Sequence, residues 1–222
     1  MHWTLPNILT VSRIALAPVI ALLPFIEGSW PKVIAFGVFI VAAVSDIFDG
    51  LLARRWKQVS TLGMELDPLA DKLLLLATLI PIYWITTYRM REYGIPWWGS
   101  MPLWAAWLIV GREAFMTVFR AWARRRGVII AAIGPGKLKT TVQSIFVGAT
   151  IGWFAWKDLA TQYGWRKQLL GSYWETFHGG LVSITLGAAV FLTVYSLGVY
   201  LYRYRSLFQG TPAEPPSRTD GH

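Results

Sequence analysis

Four aspartates fall where a largely apolar chain can least accommodate them. Asp46 and Asp49 are three apart, and Asp67 and Asp71 are four apart, each pair in or beside a segment that reads as membrane helix. Both spacings place the two carboxylates of a pair on one helical face. An aspartate at the centre of a spanning helix costs about 2.5–3.5 kcal/mol to insert, and such residues usually mark an ion or substrate site. Four hard oxygen donors with no histidine or cysteine nearby suit Mg²⁺ or Mn²⁺. Four carboxylates can share two such ions at roughly 3.5–4 Å, an arrangement used for in-line displacement at phosphorus. Gly50 and Ala53 follow Asp46 by four and seven residues, on its own stripe, and leave room for a bulky ligand. Arg54, at the helix exit, can pair with phosphate, and Gly63 permits close backbone approach.

The elements that must position these residues are apolar. The 222-residue chain is 55% hydrophobic and only 15% charged, against about 25% charged for a soluble domain. Several apolar runs approach the ~20 residues that cross a bilayer. The chain therefore reads as an all-α membrane protein with six transmembrane helices. The expected spans are Leu5–Ile26, residues 31–56, 66–87, 102–125, 138–156 and 176–202. Ser12 and Arg13 interrupt the first, whose early part is expected to lie along the membrane surface. Residues 58–63 read as a polar link, 89–99 as a loop, and Gly134-Pro135-Gly136 as part of a basic hinge. Residues 1–208 form one membrane domain, and residues 209–222 a polar, proline-rich, disordered tail. Helices two and three, joined by a short link, are expected to be antiparallel neighbours whose carboxylates converge.

The net charge of +9 would point to nucleic acid in a soluble chain. Here the basic residues gather at helix ends, which favours anionic lipid and anionic substrate instead. With no cysteine, disulfides and thiolate metal ligands are excluded. The start, Met1-His2-Trp3-Thr4, has no basic n-region and predicts no cleaved signal peptide. Thirteen tryptophans, clustered at Trp97-Trp98, Trp104 and Trp107 and again at Trp153, Trp156 and Trp165, read as interfacial belts. Six crossings put both termini on one side. Lys and Arg number eleven on that side against six on the other, which places the termini and the aspartate-bearing link in the cytoplasm of a bacterial-type membrane.

The pattern Asp46-x2-Asp49-Gly50-x2-Ala53-Arg54-x8-Gly63-x3-Asp67-x3-Asp71 resembles the complete signature of the CDP-alcohol phosphatidyltransferase family, and the likeness extends to the six-helix pattern. It implies a membrane-embedded homodimer that moves a phosphatidyl group from a CDP-linked lipid to an alcohol and releases CMP. By the same resemblance, Asp46, Asp49, Asp67 and Asp71 would hold two metal ions on the diphosphate. Asp71 would also be the base toward the acceptor hydroxyl. Gly50, Ala53, Arg54 and Ser60 would lie along the CDP portion, and Gly63 would shape the cytidine pocket. Glu65, a fifth carboxylate, is expected to face away.

The segment from Leu5-Pro6-Asn7 to Ser12-Arg13, the pair Arg112-Glu113, and Gly136-Lys137-Leu138-Lys139-Thr140-Thr141-x-Gln143 are similar to the phosphatidylglycerophosphate synthase branch of that family. The likeness implies CDP-diacylglycerol as donor and sn-glycerol 3-phosphate as acceptor. A phosphorylated acceptor is dianionic and calls for cations beyond the metals. Arg112, Arg120, Lys137 and Lys139 are available, the first two eight apart on one helical face. Phosphatidylglycerol (a cardiolipin synthase) and an inositol phosphate (a phosphatidylinositol-phosphate synthase) are the alternative acceptors. From another class, the aspartates could serve a divalent cation transporter, which predicts carboxylates near the midplane rather than at helix ends.

Overall fold

The computed structural model describes residues 5–56, 61–131 and 134–208. Of these, the side chains at 5–6, 47–56, 61–65, 67, 135, 167, 206 and 208 lie outside the description. The 209–222 tail lies outside it entirely. Among the described residues the fold is helical, without strands: α1 (Leu5–Leu22), α2 (Ser29–Trp56), α3 (Thr61–Tyr88), a single turn α4 (Met90–Tyr93), α5 (Leu103–Arg125), α6 (Gly134–Gln162) and α7 (Leu169–Arg203). α1, α2, α3 and α7 are long and apolar enough to cross a membrane. The other two long helices carry more charge: Arg112, Glu113 and Arg120 in α5, and Lys137, Lys139, Lys157 and Asp158 in α6.

Several boundaries differ from those expected. α1 is one unbroken helix packed against both α2 and α3. Its buried stripe runs Asn7, Thr10, Arg13, Ala17, Ile20, so Arg13 lies on the packed face and does not interrupt the helix. α3 begins at Thr61 and carries Pro68 and Pro81 inside it. Prolines are tolerated in membrane helices because neighbouring groups re-satisfy the freed carbonyls. The Gly134–Gly136 stretch is the first turn of α6, where Pro135 has no intrahelical N–H to lose. A Cβ on Gly136 would come within 3.1 Å of the Tyr200 hydroxyl, so glycine there lets the start of α6 press against α7. Among the described residues α1 packs against both α2 and α3, which have few contacts with each other; the side chains beside the link that is expected to join them as neighbours lie outside the description.

The main core lies where α2, α3, α6 and α7 meet, around Phe39, Ile82, Phe146, Phe154 and Leu186. Phe39 and Phe36 of α2 lie over Gly148 and Gly152 of α6, where a Cβ would stand 3.0 and 3.2 Å from the rings. Trp153 is 1% exposed and belongs to this core, not to an interfacial belt, because α7 covers it with His178. Trp97, Trp104 and Trp107 are exposed, as a belt requires.

Lys32, Asp158 and Tyr93 fasten the opposite end of the bundle from the aspartates. Lys32 is buried, with Nζ 2.8 Å from Asp158 Oδ2 and 3.2 Å from the carbonyls of Ile26 and Gly28. Tyr93 donates its hydroxyl to Asp158 Oδ1. Burial, then this bond to a carboxylate, pushes the Tyr93 phenol well above its ordinary value, so it remains a donor. Removing one member of a buried ion pair costs about 3–5 kcal/mol. Lys32→Met is expected to lower Tm by about 6–20 °C and to leave substrate KM values unchanged, as thermal unfolding and steady-state kinetics on the purified variant will show.

Candidate active site

Arg13 is the organising side chain. Its guanidinium is 2% exposed, and Nη1 hydrogen-bonds to Asp46 Oδ1 and, at 3.0 Å, to Asp71 Oδ1. α1 thereby brings together one carboxylate from α2 and one from α3. Both aspartates are half exposed or more. The side-chain surroundings of Asp49, Gly50, Ala53, Arg54, Gly63, Glu65 and Asp67 lie outside the described residues, as does Ser60 altogether.

Beside this pair stands a second charged cluster. Lys139, at the start of α6 and 1% exposed, is ion-paired with Glu113 of α5. Arg112 Nη1 lies 3.0 Å from the same Glu113 oxygen, and Arg112 Nη2 lies 3.3 Å from Ser196 Oγ. Tyr200 of α7 packs under both Arg112 and Arg120, their guanidinium carbons 5.6 and 6.0 Å from the ring centre. Arg112 is buried, whereas Arg120 and Lys137 are exposed. Of the four acceptor candidates, then, Arg112 and Lys139 converge on one acid, Arg120 joins them through Tyr200, and Lys137 stands apart on the surface.

The two clusters share a cavity of about 670 Å³ between α2, α3, α6 and α7. Arg13, Asp46, Asp71, Glu113 and Lys139 line one part of it. Phe36, Phe39, Ile40, Leu74, Phe177 and Leu181 make most of the rest apolar, with Thr78, Gln143 and His178 among them. A site with charge of both signs at one end and an apolar trough at the other is complementary to an amphiphile with an anionic headgroup.

Among the described residues no three carboxylates or histidines converge as a metal centre. The donor chemistry nevertheless fits a hard divalent cation. Asp46 and Asp71 converge on one positive charge, that of Arg13, and both are hard oxygen donors of the kind that such a cation takes.

A protein-family model, CDP-alcohol phosphatidyltransferase, matches residues 3–195. The chain belongs to that family, and with its apolar spans it is an integral membrane protein. Among curated relatives it is 30% identical over 210 residues to the CDP-diacylglycerol–glycerol-3-phosphate 3-phosphatidyltransferase of Escherichia coli strain K12, covering 93% of this chain and 97% of that one. The enzyme of the same name from Shigella sonnei matches equally. That from Pectobacterium atrosepticum is 34% identical over 155 residues, 68% of this chain and 78% of its own.

Sequence reasoning missed the part played by Arg13. The signal was present: a cation three and six residues after Thr10 and Asn7 on one stripe of an apolar helix, where a charge needs a partner.

Proposed function

We propose that this protein transfers a phosphatidyl group from CDP-diacylglycerol to sn-glycerol 3-phosphate, giving phosphatidylglycerophosphate and CMP. The observation that carries the reading is the shared cavity, which Asp46, Asp71, Glu113, Lys139 and an apolar trough line together, with Arg112 paired to Glu113 behind it. The names of the relatives agree with it.

In this reading the diacyl chains lie against Phe36, Phe39 and Leu74, and the diphosphate lies at Asp46 and Asp71. Two Mg²⁺ or Mn²⁺ ions, held by Asp46, Asp49, Asp67 and Asp71, would supply charge neutralisation at the diphosphate and polarisation of the phosphorus. Asp71 takes the proton of the acceptor hydroxyl as the new O–P bond forms, since a free hydroxyl is too weak a nucleophile at neutral pH. Lys139 and Arg112 face the acceptor phosphate, which competes with Glu113 for their N–H groups. Arg120 and Lys137 add positive potential around that site. Gly50, Ala53, Arg54, Ser60 and Gly63 hold the cytidine diphosphate. Orientation contributes strongly, because both substrates are fixed by charges on rigid helices before the bond forms.

A dianionic acceptor accounts for two buried cations at the site better than a neutral alcohol would. The apolar trough argues against a cation-conduction path, which needs polar lining along its length. Six spans, cytoplasmic termini and a homodimer complete the proposal. The test is CMP release by purified protein with Mg²⁺, CDP-diacylglycerol and one of three acceptors. Glycerol 3-phosphate is expected to support turnover at least tenfold above phosphatidylglycerol or inositol phosphate. Preference for either of the others would reassign the acceptor.

A further inference from the structure

The buried face of α1 changes character along its length. Asn7, Thr10 and Arg13 are each no more than 2% exposed, and Ala17 and Ile20 continue the same stripe as ordinary core. A guanidinium removed from water to this degree carries a desolvation cost that only close counter-charges offset. Among the described residues Asp46 and Asp71 supply such charges, both bonded to the one nitrogen Nη1. α1 packs closely on both α2 and α3, far more, among the described residues, than those two pack on each other. Carboxylates gathered at one end of two helices repel one another. Arg13 is therefore a charge that can hold that end of α2 and α3 together from within the chain.

We infer that Arg13 is a positioning residue that stands in for a divalent cation, keeping the α2 and α3 carboxylates convergent until metal arrives. The inference rests on the reading that Asp46 and Asp71 bind metal. Its consequence is a trade: the protein relies on Arg13 when metal is scarce and on metal when Arg13 is absent. Loss of the guanidinium also removes a like charge from the neighbourhood of the incoming cation, so metal binding gains strength as the metal-free fold loses it.

The test compares wild type, Arg13→Gln and Arg13→Lys by thermal unfolding in EDTA and in saturating Mn²⁺, with Mn²⁺ affinity measured directly by electron paramagnetic resonance. Arg13→Gln is expected to lose at least about 5 °C of Tm in EDTA and to recover most of it in Mn²⁺, so that its metal-dependent gain exceeds that of wild type. Arg13→Lys keeps the charge but spans two carboxylates less well, and is expected to fall between the two. Should Arg13→Gln not fold under either condition, the Arg13→Lys comparison decides alone: a metal-dependent gain no larger than that of wild type overturns the inference. An EDTA loss that Mn²⁺ does not recover, or no loss at all, overturns it equally. If Mn²⁺ binds wild type and activity is intact, those outcomes remove only the role of Arg13. If Mn²⁺ binds neither wild type nor variants, the metal reading of the aspartates fails instead.

Discussion

Asp71→Asn is expected to lower CMP release by about 10²–10⁴-fold, the usual contribution of a positioned general base, while leaving the fold intact. Asp71 is more exposed than Arg13 and Asp46, with 62% of its side chain accessible, so the substitution disturbs no packing. The asparagine oxygen can still accept the 3.0 Å hydrogen bond from Arg13 Nη1. It carries no negative charge and cannot take the acceptor's proton. A folded protein with a modestly lowered Tm, since Asp46 still pairs with Arg13, and residual turnover below a hundredth of wild type are the predicted pair of results. Turnover within threefold of wild type would remove Asp71 as the base.

Lys139→Gln is expected to raise KM for glycerol 3-phosphate by about 10- to 100-fold, with KM for CDP-diacylglycerol changed by less than about threefold. A hydrogen bond to a charged group contributes about 1.5–3 kcal/mol, and every 1.4 kcal/mol is a factor of ten. Lys139 is buried and lines the same cavity as Asp71, so an anion it binds is held beside the base. Glu113 retains Arg112 at 3.0 Å after the change, so the acid is not left without a counter-charge. The exposed Lys137 provides the comparison: Lys137→Gln should move KM for glycerol 3-phosphate by less than about threefold. Equal effects at 137 and 139 would mean that diffuse positive potential, not a built site, recruits the acceptor. Steady-state kinetics with each substrate varied in turn separates these cases.

The helical class, the positions of the long helices and the value of the aspartate pairs were legible in the chain because they depend on local pattern. Apolar runs reveal spans, and carboxylates in such runs reveal a site by their cost. What escaped was set by packing between distant segments. Nothing near Arg13 in sequence says that α1 lies against both α2 and α3, so a cation on the buried stripe passed for a break in the helix. Gly134-Pro135-Gly136 read as a hinge because glycine and proline punctuate structure elsewhere. In the fold the proline occupies the helix start, and Gly136 meets Tyr200, some sixty residues away. The third span is expected from residue 66, whereas the helix starts at Thr61 and runs through Pro68. Trp153 was grouped with the belts because composition cannot tell a lipid-facing tryptophan from one covered by α7. Among the acceptor candidates, charge alone could not separate Lys139, buried against Glu113, from Lys137, two residues earlier and exposed.

The central claim is that the α2 and α3 aspartates grip a nucleotide-lipid diphosphate through divalent metal. Equilibrium binding of CDP-diacylglycerol to purified protein tests it most directly, with and without Mg²⁺, for wild type and the Asp46→Asn/Asp71→Asn double variant. Mg²⁺ should tighten binding by at least tenfold in wild type and by less than twofold in the double variant. Binding that is equally tight without metal, or a metal effect that survives loss of both carboxylates, would contradict it.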